Sequence, residues 1–266
     1  MTANNEIGTI EPIKEITRVI NEERKKRRKG EKENKNSNCN CNSQSSIFTY
    51  PLFHTDACQA DIYEDLNVEK LGVDLLTLDA SKVYGPRGVG ALYIKRNTPI
   101  EPLTYGGGQE NGLRAGTENT PGIVGFAKAL QLAQKNMVKE NRRVGELRDY
   151  FEREVKKIRP DAIVNGVFNS NSNCNSNCLR VPNISNITFP NIDAEMLLLR
   201  LDSRGVAVST KSACLRDEDE SYVLRAIGAD SKSSIRFSFG KWTKKGELDK
   251  TLSILKKLLV QGLPLY

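Results

Sequence analysis

Hydrophobic positions recur at helical spacing in some stretches of the chain and gather into short apolar runs in others. Helical spacing over residues 12–28 predicts a helix that packs against a sheet. Apolar runs predict strands just before Asp56 and over residues 74–78 and 91–94, with a short helix near residues 68–71. This alternation is typical of an α/β sheet, in which ligand groups lie at the strand ends.

The second half of the chain predicts a long helical region and then a smaller α+β unit. The helical region covers residues 121–158, with one break, and its charged second part would link two domains. Shorter runs predict strands near residues 163, 184–189, 206–208 and 235–238, and helices near residues 194–204, 221–227 and 244–259. Gly228, directly after the second of these helices, is a C-cap signal.

This order of elements predicts two domains. Residues 1–125 would form part of a large α/β domain, and residues 126–266 a linker helix with a small C-terminal domain. Two tracts rich in Asn and Ser, residues 30–46 and 169–179, have almost no hydrophobic residues. We expect both tracts to be exposed, low-complexity insertions.

The formal net charge of +7 over 266 residues raises the question of nucleic-acid binding. Much of this charge lies in residues 24–29, where the first predicted helix ends. A basic block can bind phosphate backbones through counterion release. At this position it more simply caps a helix C-terminus and solvates a loop, so nucleic acid is not the expected partner.

No apolar segment is long enough to span a bilayer, and the N-terminus lacks the apolar core of a signal peptide. The cytoplasm is therefore the expected location, where the six cysteines stay reduced. Four of them would bind zinc only if the two insertions met: Cys39, Cys41, Cys174 and Cys178. Their spacings are not those of common zinc ribbons, so we predict disordered insertions and no metal site.

The segment from Leu75 to Gly88 carries the most informative candidate chemistry. An apolar run ends in a turn that presents Lys82, and a Gly-Pro-Arg-Gly bend follows at once. An amine at a strand end can form a Schiff base with an aldehyde cofactor, although a surface lysine in a β-turn is the plainer alternative. Upstream, Asp56 is either a turn-forming residue or the carboxylate that a pyridinium ring requires.

Two downstream segments add a thiol and a guanidinium group. Cys214 ends a β-branched run in a loop of small polar residues, which argues against burial, and Lys211 would favour its thiolate. Arg236 lies in mid-strand between two apolar residues, so it points to the opposite face, where it would grip a carboxylate. A buried, inert thiol and an arginine facing water remain the alternatives.

In this order the segments resemble the pyridoxal-phosphate-dependent cysteine desulfurases, a class V aminotransferase group with fold type I. The resemblance runs through residues 4–8, 56–59, 75–88, 106–110, 114–120, the Cys214 loop and the Arg236 strand. It covers nearly the whole chain apart from the two insertions. It implies an α/β fold of the PLP-dependent transferase kind, with residues 1–125 forming part of the cofactor-binding domain.

The resemblance also implies which residues hold the cofactor. Lys82 would bind pyridoxal phosphate covalently and later carry a proton. Asp56 would pair with the pyridinium nitrogen, and Gln59 would hydrogen-bond the ring hydroxyl. Ser81 would donate to the phosphate. Thr117 would reach across a homodimer interface to the phosphate bound by the other subunit.

For the substrate, the resemblance implies a persulfide mechanism. Asn5 would lie near both the ring oxygen of the cofactor and the carboxylate of L-cysteine, which Arg236 would bind. Cys214 would take the sulfur of L-cysteine as a persulfide, and L-alanine would be released. The sulfur would pass to acceptor or scaffold proteins in iron–sulfur cluster assembly or tRNA thiolation. Selenocysteine lyase, which shares the scaffold, is one alternative. A non-catalytic homologue that dimerises or binds acceptor proteins is another.

The chain departs from the family pattern in three places. Asp79 stands where the family has a small or hydroxyl residue, and Ser81 where it often has histidine. Met1 enters the pattern in mid-domain, without the family's phosphate-binding Gly/Thr turn and ring-stacking histidine. We therefore expect a truncated or split gene product, or a missing half supplied by another polypeptide.

Overall fold

The computed structural model describes residues 1–34, 51–166, 180–210 and 220–260. The predicted insertion at 169–179, most of the one at 30–46, and Cys214 lie outside these residues. The chain forms two units: Met1–Thr2 with Pro12–Lys135, and Ala3–Glu11 with Asn136–Tyr266. No helix in the described ranges is long and apolar enough to cross a membrane.

The first unit follows the predicted alternation of helices and strands. Its elements are α1 (Ile13–Asn34), β1 (His54–Asp56), α2 (Val68–Leu71), β2 (Leu75–Asp79) and β3 (Gly90–Ile94). Helix α1 is longer than predicted, so basic residues 24–29 lie within it and not at its end. Arg24, the first of these basic residues, has a structural role, because it forms an ion pair with the buried carboxylate of Asp74.

The sheet of this unit has the order β1-β2-β3, with β1 parallel and β3 antiparallel to β2. One face is apolar: Leu76 and its neighbours pack against Ile13 of α1. Side chains alternate along a strand, so the other face carries His54, Asp56 and, opposite it, Thr77. The 2.7 Å contact between His54 Nε2 and Thr77 Oγ1 lies on this polar face.

A single long helix, α3 (Thr120–Ile158), follows the first sheet. The prediction of one break was wrong. The charged second half continues the helix without a break, because Glu, Lys and Arg are good helix formers and pair one turn apart, as in Arg142 with Glu146 at 3.0 Å. Near its start, Gly122 leaves room for Val89, whose Cγ2 lies 2.4 Å from where a Cβ would stand.

The second unit is built on an antiparallel sheet of order β4-β5-β6. Its elements are β4 (Ile163–Asn165), β5 (Ile184–Thr188), α4 (Ala194–Asp202), α5 (Tyr222–Ala226), β6 (Ser234–Ser238) and α6 (Lys245–Val260). The core between sheet and helices is fully buried at Phe151, Leu197 and Leu255. Gly228 has a φ of 71° just after α5, as the C-cap prediction requires.

The predicted strand at residues 206–208 is wrong. The N–H of Val206 donates to the carbonyl of Leu201 at 3.0 Å, closing the C-terminus of α4, so it is not available to a strand ladder. One isolated bridge joins Ser209 to Arg236 just beyond. The side chains of Val206 and Val208 are partly buried against the core, but the end of the preceding helix uses the backbone N–H of Val206.

Candidate functional site

The carboxyl ends of β1 and β2 bring the first set of candidate residues to one edge of the sheet. Asp56 ends β1 and lies opposite Thr77 of the parallel neighbour, and Asp79 ends β2 two residues later. Side chains two residues apart share a face, so Asp56, Thr77 and Asp79 lie on the polar face. Lys82 follows in a single 3₁₀ turn, Ala80–Val83, and its side chain is exposed.

Local hydrogen bonds fix the turn that carries Lys82. Asp79 Oδ1 accepts from the backbone N–H of Ser81 at 2.9 Å and so caps the turn. Gly85 donates its N–H to the carbonyl of Ala80 at 2.8 Å. A Cβ on Gly85 would lie 2.9 Å from that same carbonyl oxygen, so only glycine allows this close approach.

An open cleft of about 660 Å³ lies beside this turn, lined by Asp79, Ser81, Lys82, Arg87, Gly88, Val89 and Gly90. The cleft contains two cations and one carboxylate. The hydroxyl of Ser81, predicted to donate to a phosphate, donates to Asp79 Oδ2 at 2.9 Å. An anionic ligand in this cleft would therefore be attracted by Lys82 and Arg87 and repelled by Asp79.

The turn after β1 holds Asp56, Cys58 and Gln59. The exposed carboxylate of Asp56 accepts the backbone N–H of Cys58 at 2.9 Å, and Gln59 is half-buried one residue further on. Burial raises the pKa of the Cys58 thiol to about 12, helped by its hydrogen bond to Asp56 and by the charges of Asp61 and Asp79. Cys58 thus stays a thiol at neutral pH and is a poor nucleophile.

The sequence prediction missed Asp61. This residue is 1% exposed, and its Oδ2 has no hydrogen-bond partner among the described residues. Burial is the main reason that its pKa rises to about 8; the charge of Asp79 raises it further, whereas Lys82 lowers it. Residues 57–63 include the polar Gln59 and the large Tyr63 beside this acid, so the local sequence carries no signal that Asp61 is buried.

Thr117 lies exposed in the segment between the 3₁₀ turn Gln109–Gly112 and α3. Two nearby residues, Glu110 and Asn111, adopt positive φ angles of 49° and 56°. Close to this segment, Leu103 and Tyr105 are 97% and 81% exposed. Residues 103–117 therefore present both Thr117 and two large apolar side chains to the solvent.

The second unit holds the two residues predicted to bind the substrate carboxylate. Arg236 Nη1 donates to the backbone carbonyl of Asn5 at 2.7 Å. The backbone of Arg236 exchanges hydrogen bonds with Ser209, at 2.7 and 3.2 Å, which fixes the strand at this position. Asn4 Oδ1 accepts the backbone N–H groups of Glu6 and Ile7, which fixes the turn that presents Asn5.

Arg236 keeps hydrogen-bonding capacity for an anion. Burial lowers the pKa of its guanidinium, and the charge of Glu6 opposes that shift. Glu6 is 2% exposed and accepts a 2.7 Å hydrogen bond from Ser221 Oγ. The buried Nε of Arg236 has no hydrogen-bond partner in the ranges that the structure describes. A carboxylate would satisfy this donor, because guanidinium groups pair with carboxylates in a two-pronged geometry.

The structure thus gathers the candidates within each unit. Asp56, Gln59, Ser81 and Lys82 share the carboxyl edge of the first sheet, and Asn5 with Arg236 forms a bonded pair in the second unit. Thr117 stands apart in its exposed segment. The proposed nucleophile Cys214 and the four cysteines of the insertions lie outside the described residues. Within the described residues, no group of three or more His, Cys, Asp or Glu could hold a metal ion.

Comparison with known proteins identifies close relatives. The aminotransferase class-V family matches residues 49–251. The chain is 44% identical over 264 residues to the cysteine desulfurase IscS of Dictyoglomus turgidum, and 40% identical over 265 residues to that of Clostridium botulinum strain Hall. These matches cover 97% and 98% of this chain but 58% of each relative. The chain therefore spans less than two thirds of the length of these relatives.

Solved structures give the same picture. A NifS-like protein superimposes with a TM-score of 0.77 at 30% sequence identity, over 98% of this chain and 60% of that one. A NifS-like protein from Rickettsia africae gives a TM-score of 0.75 at 27% identity, over 96% of this chain and 59% of its own. The arrangement of helices and strands is shared over nearly the whole chain.

Proposed function

The chain belongs to the class V aminotransferase family of fold type I, pyridoxal-phosphate-dependent enzymes, and from this membership we propose that it is a cysteine desulfurase. In this proposal it converts L-cysteine to L-alanine and holds the released sulfur as a persulfide on Cys214. The relatives named as cysteine desulfurases support the proposal. The observation that carries it is the shared placement of Lys82 and Asp56 at the carboxyl edge of one sheet.

The residues at this edge fit the ring of pyridoxal phosphate. Lys82 supplies an exposed amine, and Asp56 supplies an exposed carboxylate on the same polar face as the end of β2. When bound, pyridoxal phosphate supplies an electron sink, which a carboxylate at its ring nitrogen strengthens. Gln59, half-buried three residues after Asp56, would donate to the ring hydroxyl.

The phosphate end of the cofactor fits less well. Lys82 and Arg87 would attract a dianion, and Gly88 leaves open space beside them. Asp79 would repel the phosphate dianion, because its carboxylate lines the same cleft. It also accepts the hydrogen bond that the Ser81 hydroxyl would otherwise donate to the phosphate. We propose that the chain binds pyridoxal phosphate with an affinity limited by Asp79.

Recognition of the substrate falls to Arg236 and Asn5 in our proposal. The free Nε donor of Arg236 would pair with the carboxylate of L-cysteine while Nη1 stays bonded to Asn5. Burial lowers the pKa of this guanidinium, and the negative charge of Glu6 opposes that shift. An amino acid would thereby be held by its carboxylate with its sulfur free to react.

The sulfur transfer balances without an outside oxidant or reductant. The thiolate of Cys214 attacks the sulfur of L-cysteine and forms a sulfur–sulfur bond. The carbon–sulfur bond of the substrate breaks, its electron pair stays with carbon, and that carbon takes up a proton, which Lys82 would carry. L-Alanine leaves, and Cys214 keeps the sulfur as a persulfide. Such a thiol must stay reduced between turnovers, which suits the cytoplasm.

We further propose that the protein works as a homodimer and hands its sulfur to acceptor or scaffold proteins. The exposed segment with Leu103, Tyr105 and Thr117 supports a subunit interface, because large apolar side chains at such exposure mark interaction sites. Iron–sulfur cluster assembly and tRNA thiolation are the processes that would consume the sulfur.

A turnover assay tests the proposal. The purified chain is mixed with pyridoxal phosphate, L-cysteine and a reductant, and L-alanine and sulfide are measured. We expect both products from the wild-type chain. We expect them from Cys58→Ser too, because the Cys58 thiol that this variant removes is inactive at neutral pH. We expect no alanine from Lys82→Ala and no persulfide from Cys214→Ser. A chain that forms a dimer or binds acceptor proteins but yields no alanine would support the non-catalytic alternative instead.

A further inference from the structure

Ser221 and Glu6 form a buried hydrogen bond to which the proposed reaction gives no part. Ser221 Oγ donates to Glu6 Oε2 at 2.7 Å across 215 positions of the chain, and both residues are almost completely buried. Burial of a carboxylate is costly, because the group loses its hydration and must be compensated by hydrogen bonds or charges. Apolar side chains of the same shape often stabilise a fold as well, so this bond calls for a functional explanation.

The buried bond lies one residue away from the proposed substrate site. Glu6 follows Asn5 directly, and the carbonyl oxygen of Asn5 accepts the 2.7 Å hydrogen bond from Arg236 Nη1. The Cα of Glu6 and this carbonyl belong to the same planar peptide group. A hydrogen bond that anchors the Glu6 side chain therefore also restrains the carbonyl that orients the guanidinium.

Backbone hydrogen bonds fix other parts of this arrangement. Ser209 exchanges backbone hydrogen bonds with Arg236, which fixes the strand but not the end of the long side chain. Val181 donates its N–H to the carbonyl of Gly8 at 2.8 Å and so holds the far part of the N-terminal turn. The carbonyl of Asn5 needs an anchor closer to it, and the buried side-chain bond supplies one.

We propose that Ser221 and Glu6 are positioning residues: their buried hydrogen bond holds the Asn5 carbonyl in place and so orients the Arg236 guanidinium toward a carboxylate. Ser221 is itself fixed, because its Oγ accepts the N–H of Leu224 at 3.1 Å and caps α5. The inference rests on the proposed function in naming Arg236 as the group that binds the substrate. Neither positioning residue contacts the substrate itself.

Steady-state kinetics separates positioning from a purely structural role. In Ser221→Ala we expect the KM for L-cysteine to rise about fivefold while kcat stays within about twofold, because a misplaced guanidinium weakens binding of substrate and transition state alike. Ser221→Thr keeps the hydroxyl and the cap, so its KM should return to within about twofold of the wild-type value.

Ser185→Ala is the matched control. Ser185 is also completely buried, and its Oγ donates to Glu152 Oε1 at 2.8 Å in the same unit. This variant loses a buried bond of the same chemistry that does not involve Asn5 or Arg236, so its KM should stay unchanged. An unchanged KM in Ser221→Ala overturns the inference, and so does an equal rise in Ser185→Ala.

Nitrogen-15 NMR reports on the guanidinium without any turnover. In the whole chain without substrate, the Nε–H signal of Arg236 is identified by its loss in Arg236→Lys. We expect this proton to exchange with solvent about fivefold faster in Ser221→Ala than in the wild type, and at the wild-type rate in Ser185→Ala. Equal exchange rates in Ser221→Ala and the wild type overturn the inference.

If Ser221→Ala does not fold, Glu6→Gln takes its place. It keeps the cap of α5 and the size of the side chain, but replaces a charge-assisted hydrogen bond by a weaker neutral one. The Arg236 proton should then exchange about twofold faster than in the wild type, and an unchanged rate overturns the inference. The exchange measurement involves no alanine formation, so failure of the proposed desulfurase activity remains a separate result.

Discussion

Arg236 Nη1 donates a 2.7 Å hydrogen bond to the backbone carbonyl of Asn5, across 231 positions of the chain. The two residues proposed to bind the substrate carboxylate are thus held as one unit. The buried Nε of the same guanidinium has no hydrogen-bond partner among the described residues, and our proposal assigns it to the substrate carboxylate. The hydrogen bond therefore ties strand β6 to the N-terminal turn, which are the two elements that our proposal assigns to substrate recognition.

Arg236→Lys should weaken substrate binding. Lysine keeps the charge but loses the planar fork, and it cannot hold Asn5 and a carboxylate with fixed geometry. We expect the KM for L-cysteine to rise at least about tenfold, equivalent to about 1.4 kcal/mol, with a smaller change in kcat. Arg225→Lys, at an exposed position on α5, serves as the control. An unchanged KM in Arg236→Lys would show that Arg236 does not bind the substrate.

Asp79→Ser should strengthen binding of pyridoxal phosphate. Serine restores a hydroxyl at the end of β2, can still cap the turn at Ser81, and removes a negative charge from the cleft. We expect the dissociation constant, measured by equilibrium dialysis, to fall about tenfold. Asp65→Ser, which removes an exposed carboxylate paired with Lys70, should leave it unchanged. Weaker binding of pyridoxal phosphate by Asp79→Ser would show that Asp79 contributes to cofactor binding.

Asp61 should make stability depend on pH. Its pKa of about 8 in the folded protein lies above the ordinary value of 3.8, so between these values only the folded chain holds the proton. Stability contributed by this proton therefore falls as pH rises from about 4 to about 8, then stays constant. Between pH 6 and pH 9 the wild type should lose about 3 kcal/mol more than Asp61→Asn in urea unfolding. The expectation is contradicted if the free energy of unfolding changes with pH in the same way in both proteins.

The ion pair of Arg180 with Glu152 should stabilise the second unit. Two nitrogens of Arg180 donate to the two carboxylate oxygens at 3.1 and 3.0 Å, and both side chains are largely buried. We expect Arg180→Met to lower the free energy of unfolding by about 3 kcal/mol, because it leaves a buried carboxylate uncompensated. Arg142→Met, which breaks the exposed pair with Glu146, should cost less than about 0.5 kcal/mol. Equal costs would mean that burial does not matter here.

Much of the fold could be predicted from the sequence, because hydrophobic periodicity reports which face of an element is buried. Helix α6 and strands β2 and β5 lie close to their predicted positions for that reason. The strand at residues 206–208 could not be excluded this way. Its backbone N–H bonds to the end of α4, and a pattern of side chains does not show where backbone groups bond.

The candidate site was only partly accessible to sequence reasoning. Lys82 and Asp56 stand out because each follows an apolar run in a recognisable motif. Asp61 and Glu6 do not stand out in the sequence. Both are buried in the structure, and a single acid in a sequence gives no measure of its burial. The contact of Arg236 with Asn5 joins the two ends of the chain, beyond the reach of local pattern.

The proposed activity depends on Lys82 as the residue that carries pyridoxal phosphate, and chemical trapping can identify that residue. The chain is incubated with pyridoxal phosphate, reduced with borohydride, digested and mapped by mass spectrometry. We expect one dominant pyridoxyl group, on Lys82, which disappears in Lys82→Ala and persists in Lys95→Ala. Label spread evenly over surface lysines, or labelling of Lys82→Ala as strong as that of the wild type, would contradict it.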